Sequence, residues 1–305
     1  MMATLELDSS PSILPLYARA VAPLLPGASR LPWVGGNGGE IPERELLLAH
    51  VRVDPARVAD YSRVCGFTTR AVLPATYPHV LAFPLHMALM ADGRFPFAAI
   101  GLVHVSNRVT QHRPIALGEE LALRVHATDL EDHPRGQTFT IVSQASISGE
   151  LVWEGLSTML HRGQHSGASP AGGEHHEARP TPVSAQWRLE GDLGRRYAAV
   201  SGDRNPIHLH AITAKPFGFQ RAIAHGMWTK ARCLAALEES DVGELFSGPF
   251  SVEVRFRRPI LLPATVGFGS GADGETVGFA VRASSGDVSH LEGRAAPAAP
   301  EEVRP

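Results

Sequence analysis

The chain carries a repeat of itself, and this constrains the fold more than any other feature. Tyr61-Ser-Arg-Val-Cys-Gly66 returns as Tyr197-Ala-Ala-Val-Ser-Gly202, 136 residues later, and Arg113-Pro-Ile-Ala-Leu117 returns as Arg258-Pro-Ile-Leu-Leu262, 145 residues later. Both matches keep their order, which predicts one unit of about 120–150 residues written twice. The 305 residues exceed what one ordinary core uses, so two copies account for the length.

Between the copies, Gly163–Pro182 loses apolar periodicity and turns to Gly, Ser, Pro and Ala, as an interdomain linker does. Its His175 and His176 have no further ligand in register and are read as solvated chain. The expected division is an N-terminal unit over 1–162, a linker over 163–182, a C-terminal unit over 183–294 and a disordered tail over 295–305.

Each unit reads as helix first, then strands. His225–Glu239 is rich in helix formers, and its apolar positions, Met227, Trp228, Ala231, Leu234, Ala235 and Leu237, cover more than one face. Such a helix is buried. Val252/Val254/Phe256, Val266/Phe268 and Val277/Phe279/Val281 follow at period two, the mark of half-buried strands. Upstream, a short helix near Leu81–Ala91 precedes Val103/Val105, Leu121/Leu123/Val125, Phe139/Ile141 and Leu151–Leu160. The expected class is α+β, with one buried helix wrapped by antiparallel strands in each half, and 30 Gly and 24 Pro supply the turns.

Composition removes several functions. With 28 Lys+Arg against 31 Asp+Glu and no long basic cluster, the chain lacks the footprint of a nucleic-acid binder. Cys65 and Cys233 stand far apart without CxxC spacing, which excludes a disulfide framework and a thiolate zinc site, and both are read as inert core residues. The N-terminus has acidic residues where a signal peptide is basic, and Pro15, Arg19 and Pro23 break its apolar stretch. No apolar run reaches membrane-spanning length, so a cytoplasmic protein is expected.

One stretch concentrates polar residues beyond what packing needs: Tyr197-Ala-Ala-Val-Ser-Gly-Asp-Arg-Asn-Pro-Ile-His208. Gly202, Asp203, Asn205 and Pro206 favour a sharp turn, which can bring Asp203 and His208 together as a general acid/base pair, with Asn205 to fix one of them. Ala224-His225-Gly226-Met227 then opens the helix, where unpaired N–H groups and a positive dipole can stabilise an oxyanion. His208-Leu-His210 lacks a third ligand for zinc, so no metal is expected and His210 is read as a surface residue. Ser201 has no GxSxG context for a nucleophile and is read as a hydrogen-bond donor to the Asp203 loop. His225 is read as packing before the helix, with contact to substrate as the alternative.

These residues, from Tyr197 to Trp228, resemble the MaoC-type dehydratases and (R)-specific enoyl-CoA hydratases 2. The resemblance implies a hotdog fold, here in tandem as a double hotdog. Leu73-Pro-Ala-Thr-Tyr-Pro-His-Val-Leu-Ala-Phe-Pro84 and Gly101-Leu-Val-His-Val-Ser-Asn107 are similar to the actinobacterial double-hotdog 3-hydroxyacyl-thioester dehydratases. It further implies reversible dehydration and hydration of (R)-3-hydroxyacyl and trans-2-enoyl thioesters of CoA or acyl carrier protein in fatty-acid metabolism, without cofactor. Asp203 and His208 would be the catalytic pair, Asn205 and Ser201 orienting residues, and the Gly226 N–H the donor to the thioester carbonyl. In the first copy Phe67, Thr69 and Val72 fall at the positions of Asp203, Asn205 and His208, so that unit would be degenerate, lending Tyr77, Phe83 and Leu85 to an acyl pocket. Lys215, Arg221, Arg257 and Arg258 could meet phosphates, with solvated surface charge as the default. A pseudo-dimeric monomer and a homodimer both stay open. Rival readings are a non-catalytic acyl-thioester-binding subunit and a hotdog thioesterase.

Overall fold

The computed structural model describes residues 2–21, 39–163 and 182–298. The first part runs β1 (Ala3–Leu7), α1 (Ile13–Val21), β2 (Arg44–Arg52), α2 (Pro55–Cys65), α3 (Tyr77–Met90), β3 (Val103–Gln111), β4 (Glu120–His133), β5 (Gly136–Ile147) and β6 (Glu150–Arg162). The second runs β7 (Ala185–Leu189), α4 (Leu193–Ser201), α5 (Pro206–Leu209), α6 (Ala211–Ala214), α7 (Gly226–Glu238), β8 (Phe250–Phe256), β9 (Ala264–Asp273), β10 (Thr276–Ala283) and β11 (Ser289–Pro297). No helix among the described residues is long and apolar enough to cross a membrane.

All eleven strands form one sheet in the order β1-β2-β4-β5-β6-β3-β8-β11-β10-β9-β7. Read outward from its centre, both halves have the same connectivity over five strands, and β1 adds a sixth, parallel to β2, at the outer edge of the first. β3 and β8 meet there antiparallel, Ser106–Gln111 against Arg255–Phe250. The sheet wraps two buried helices. α3 sinks Leu85, and α7 sinks Ala231, Cys233, Leu234 and Leu237, among strand residues as buried as Leu123, Val254 and Phe279. The duplication read from the sequence is thus a duplicated fold.

The seam is tied by a buried lysine. Lys230 on α7 is fully buried, and its Nζ donates to the Asn107 carbonyl (3.2 Å), Asn107 Oδ1 (2.6 Å) and the Val252 carbonyl (3.1 Å). One side chain therefore joins α7, β3 and β8.

The repeated motifs make repeated structure. α2 is capped by Asp54 on the Ala56 N–H (2.9 Å) and stops at Gly66 with φ +82°, while α4 stops at Gly202 with φ +76°, a left-handed conformation that favours glycine. Tyr61 and Tyr197 meet with ring centroids 6.1 Å apart. Each Arg-Pro-Ile segment bridges back to the strand-like stretch before its helix. Leu73 N–H reaches the Ile115 carbonyl (2.8 Å) and Leu117 N–H the Ala71 carbonyl (3.0 Å); Ala224 N–H reaches Ile260 (2.9 Å) and Leu262 N–H reaches Ala222 (2.8 Å).

This frame corrects one correspondence. Val72 is the counterpart of Ile223, each at the centre of its bridge, and is not the counterpart of His208. Six positions lead from Gly66 to Val72, against twenty-one from Gly202 to Ile223. The first copy has lost the segment that carries His208, so Thr69 and Val72 do not replace Asn205 and His208. Phe67 alone keeps its place, directly after the left-handed glycine.

A second correction concerns the C-terminus. β11 extends to Pro297, with Ala295 buried opposite Val252 and Pro297 opposite Phe250. The ordered chain therefore runs past 294. Residues 299–305, and the linker residues 164–181 with His175 and His176, lie outside the described residues.

Candidate active site

The left-handed turn at Gly202 throws the chain off α4. The Asp203 N–H donates to Ser201 Oγ (3.2 Å), and that hydroxyl donates to the Tyr197 carbonyl (2.8 Å). Ser201 thus accepts from the loop, the reverse of the expected direction, because its proton is engaged within the helix. The Asn205 N–H donates to Asp203 Oδ1 (3.1 Å), and Asn205 Oδ1 accepts from the Ile207 N–H (3.4 Å), capping α5 ahead of Pro206. These bonds tie Asn205 into the loop between α4 and α5. α5 crosses α4 at Gly194, where any Cβ would run into the His208 carbonyl.

His208 arrives buried, and its Nδ1–H donates to the Ile223 carbonyl (2.8 Å). A carbonyl only accepts, so the proton sits on Nδ1 and Nε2 keeps the lone pair. His225 lies against it, the ring centroids 3.7 Å apart and nearly parallel, and donates Nε2–H to the Asp203 carbonyl (3.0 Å). Its Nε2 stands 3.8 Å from Asp203 Oδ2. His225 is thus part of the cluster, more than the packing residue expected.

Tyr17 also belongs here. Its hydroxyl, carried by α1, donates to Asp203 Oδ1 at 2.8 Å. Sequence reading missed it.

These partners set the charges. Burial pushes the Asp203 carboxyl up, but His225, His208, the Asn205 amide and the Tyr17 hydroxyl outweigh it and hold its pKa below the ordinary value. Its side chain keeps 28% exposure. Burial lowers His208 against the opposing pull of Asp203, and lowers His225 to about 3 with help from His208. Near neutral pH the site holds a carboxylate beside two neutral imidazoles.

Gly226 is the first residue of α7, and a Cβ there would stand 2.8 Å from the Phe256 ring. The helix head is therefore open only to the bare backbone. Phe256 leads across the seam to His104 on β3, with centroids 4.9 Å apart, and rings continue through His79 and His86 to Phe83. His104 Nε2 is buried without a partner, and burial takes the imidazole down to about 4. The first half thus contributes buried neutral histidines beside the site. Of the expected acyl-pocket residues, Phe83 ends this row of rings, Tyr77 packs edge-on to Tyr61, and Leu85 is fully buried.

Surface cations are engaged elsewhere or exposed. Arg257 pairs with Glu292 (2.7 Å) and Arg221 bonds the Pro263 carbonyl (3.2 Å), while Lys215, Arg258 and His210 are exposed. One donor atom each from Asp203, His208 and His225 lies within 4.8 Å of the other two. Both rings already give an N–H to a backbone carbonyl and lie face to face, a geometry that serves proton transfer.

The MaoC like domain family matches residues 170–293. The chain is 38% identical over 260 residues to 3-hydroxyacyl-thioester dehydratase X of Mycobacterium tuberculosis (strain ATCC 25618 / H37Rv), covering 85% of this chain and 89% of that protein. The crystal structure of HtdX of Mycobacterium tuberculosis superposes with a TM-score of 0.72 at 36% identity, covering 83% of this chain and 99% of that one. A conserved hypothetical protein of Mycobacterium tuberculosis with a double hotdog fold superposes with a TM-score of 0.53 at 14% identity, over 82% and 95% of the two chains, and shares the fold. A duplicated hotdog, an Asp-His cluster at the head of a buried helix and these likenesses together place the chain in the MaoC-like family of 3-hydroxyacyl-thioester dehydratases.

Proposed function

We propose that Asp203 and His208 interconvert (R)-3-hydroxyacyl and trans-2-enoyl thioesters by moving the elements of water across C2 and C3. The chain is a hydro-lyase by family. The observation that carries the assignment of roles is the protonation pattern. The Nδ1–H of His208 is held by Ile223, which leaves Nε2 to take a proton, beside a carboxylate whose ionised form the Asn205 N–H and the Tyr17 hydroxyl favour.

In hydration, a water held by Asp203 and His208 attacks C3 and gives its proton to His208 Nε2. The π electrons move through C2 to the thioester oxygen, which the Gly226 N–H and the helix dipole stabilise as charge develops. The imidazolium, stabilised by Asp203, returns the proton to C2. Dehydration is the same path reversed. The thioester's carrier is CoA or an acyl carrier protein, since both present the same reacting group.

The test is a panel of trans-2-enoyl-CoA substrates of increasing length. Loss of enoyl absorbance with an (R)-3-hydroxyacyl product is expected. Free thiol release without hydration would instead identify a thioesterase, and binding without turnover would identify a carrier subunit.

A further inference from the structure

The shared frame of the two halves shows where a second catalytic centre would stand. With Leu73 and Leu117 bonded as Ala224 and Leu262 are, Ala75 takes the place of Gly226 and Pro74 that of His225. Gln111, two residues before the shared Arg-Pro-Ile, takes the place of Phe256.

That place is hollow. A cavity of about 230 Å³ lies there, floored by Leu73, Ala75, Gln111 and Phe250, with Arg70 and Ser247 exposed at its mouth. Gln111 is only 4% exposed, and its side-chain amide makes no hydrogen bond among the described residues. Ala75, in the place of Gly226, lines the same floor just ahead of α3.

The chemistry of the walls narrows the ligand. Arg70 is already answered by Glu238 at 3.6 Å, so the cavity offers no spare cation for a carboxylate. Its polar donors suit a neutral carbonyl, and the apolar remainder suits a short chain, because the volume falls below that of sites for drug-sized molecules. Phe67 stands where Asp203 would, and the segment bearing His208 is gone, so nothing there adds water.

We infer that this cavity is a second acyl-thioester site that binds without turning over, the thioester carbonyl meeting the Gln111 amide beside Ala75. This rests on the reading of the first site as an acyl-thioester centre. Glu238, which lines the cavity, ends the helix that Gly226 begins, so the two sites sit at opposite ends of α7, roughly 18–20 Å apart along it, and can fill together.

Calorimetric titration with butyryl-CoA, which has no double bond to hydrate, tests it alongside an enoyl-CoA hydration assay. Wild type and Asp203→Asn are expected to take two equivalents per chain. Ser247→Trp, which plugs the mouth from an exposed position, removes one equivalent, and Gln111→Leu weakens that event by about tenfold. Both variants keep wild-type hydration, and butyrate displaces nothing. A hydrating wild-type enzyme that binds one equivalent overturns the second site, as do two unchanged events in both variants or displacement by butyrate. A wild type that fails to hydrate any enoyl-CoA overturns the reading of the first site instead, and the parallel assay tells the two failures apart.

Discussion

Tyr17 shows how a single residue outside the motif can set the state of the carboxylate proposed to be catalytic. Its hydroxyl donates to Asp203 from 186 positions earlier in the chain and favours the ionised form. Removing that donor raises the Asp203 pKa, so the acid side of the activity profile moves to higher pH. Tyr17→Phe is expected to shift the acid limb of kcat/KM upward by about half a unit to one unit, the size of a hydrogen bond to a charged group discounted for the carboxylate's partial exposure. An unmoved limb would deny Tyr17 this role. Asp203, Asn205, His208 and Gly226 were legible because turn formers and chemical groups are packed into one short stretch. Tyr17 was not, because nothing local in α1 marks a partner so distant. His225 was half-legible: its place before the helix was plain, but its stacking on His208 depends on a crossing that only Gly194 permits.

At the level of elements, the two halves share the connectivity of five strands; the first adds β1 and α1 at its start and lacks the segment bearing α5 and α6. Short identities such as Tyr61 with Tyr197 revealed the duplication, yet an ungapped alignment from Gly66 overran the deletion. The hydrogen-bonded bridges around Ile115 and Ile260 locate it. β11 escaped notice for a related reason, since Ala295 and Ala296 carry little strand propensity and are held by pairing with β8. α7 was legible as buried from its apolar circumference, but Lys230 within it was not legible as a staple. Lys230→Ala would leave the Asn107 and Val252 acceptors unmet in a newly emptied space. The unfolding free energy is expected to fall by about 2–4 kcal/mol, read by urea denaturation. A change below about 0.5 kcal/mol would show that the seam does not need it.

For the whole molecule, the buried histidines make stability depend on pH. His79, His86, His104 and His225 are all held below the ordinary imidazole value, chiefly by burial, with His86 at about 3 and His104 at about 4. The unfolded chain takes up these protons near pH 6.5 while the folded chain refuses them until far lower. Stability is therefore full above about pH 6.5 and falls as pH drops below it, by up to about 1.4 kcal/mol per unit for each such histidine. Urea unfolding at pH 7 and pH 5 should show the loss, and equal stability at both would contradict neutral burial. One Asp-His pair, in one half of a duplicated fold, is proposed to perform the hydration. The decisive measurement is the turnover of a trans-2-enoyl-CoA by Asp203→Asn and by His208→Ala, each checked for an unchanged fold. A loss of about 10²–10⁴-fold in each is expected; turnover near the wild-type rate in either folded variant would show that the pair does not carry the reaction.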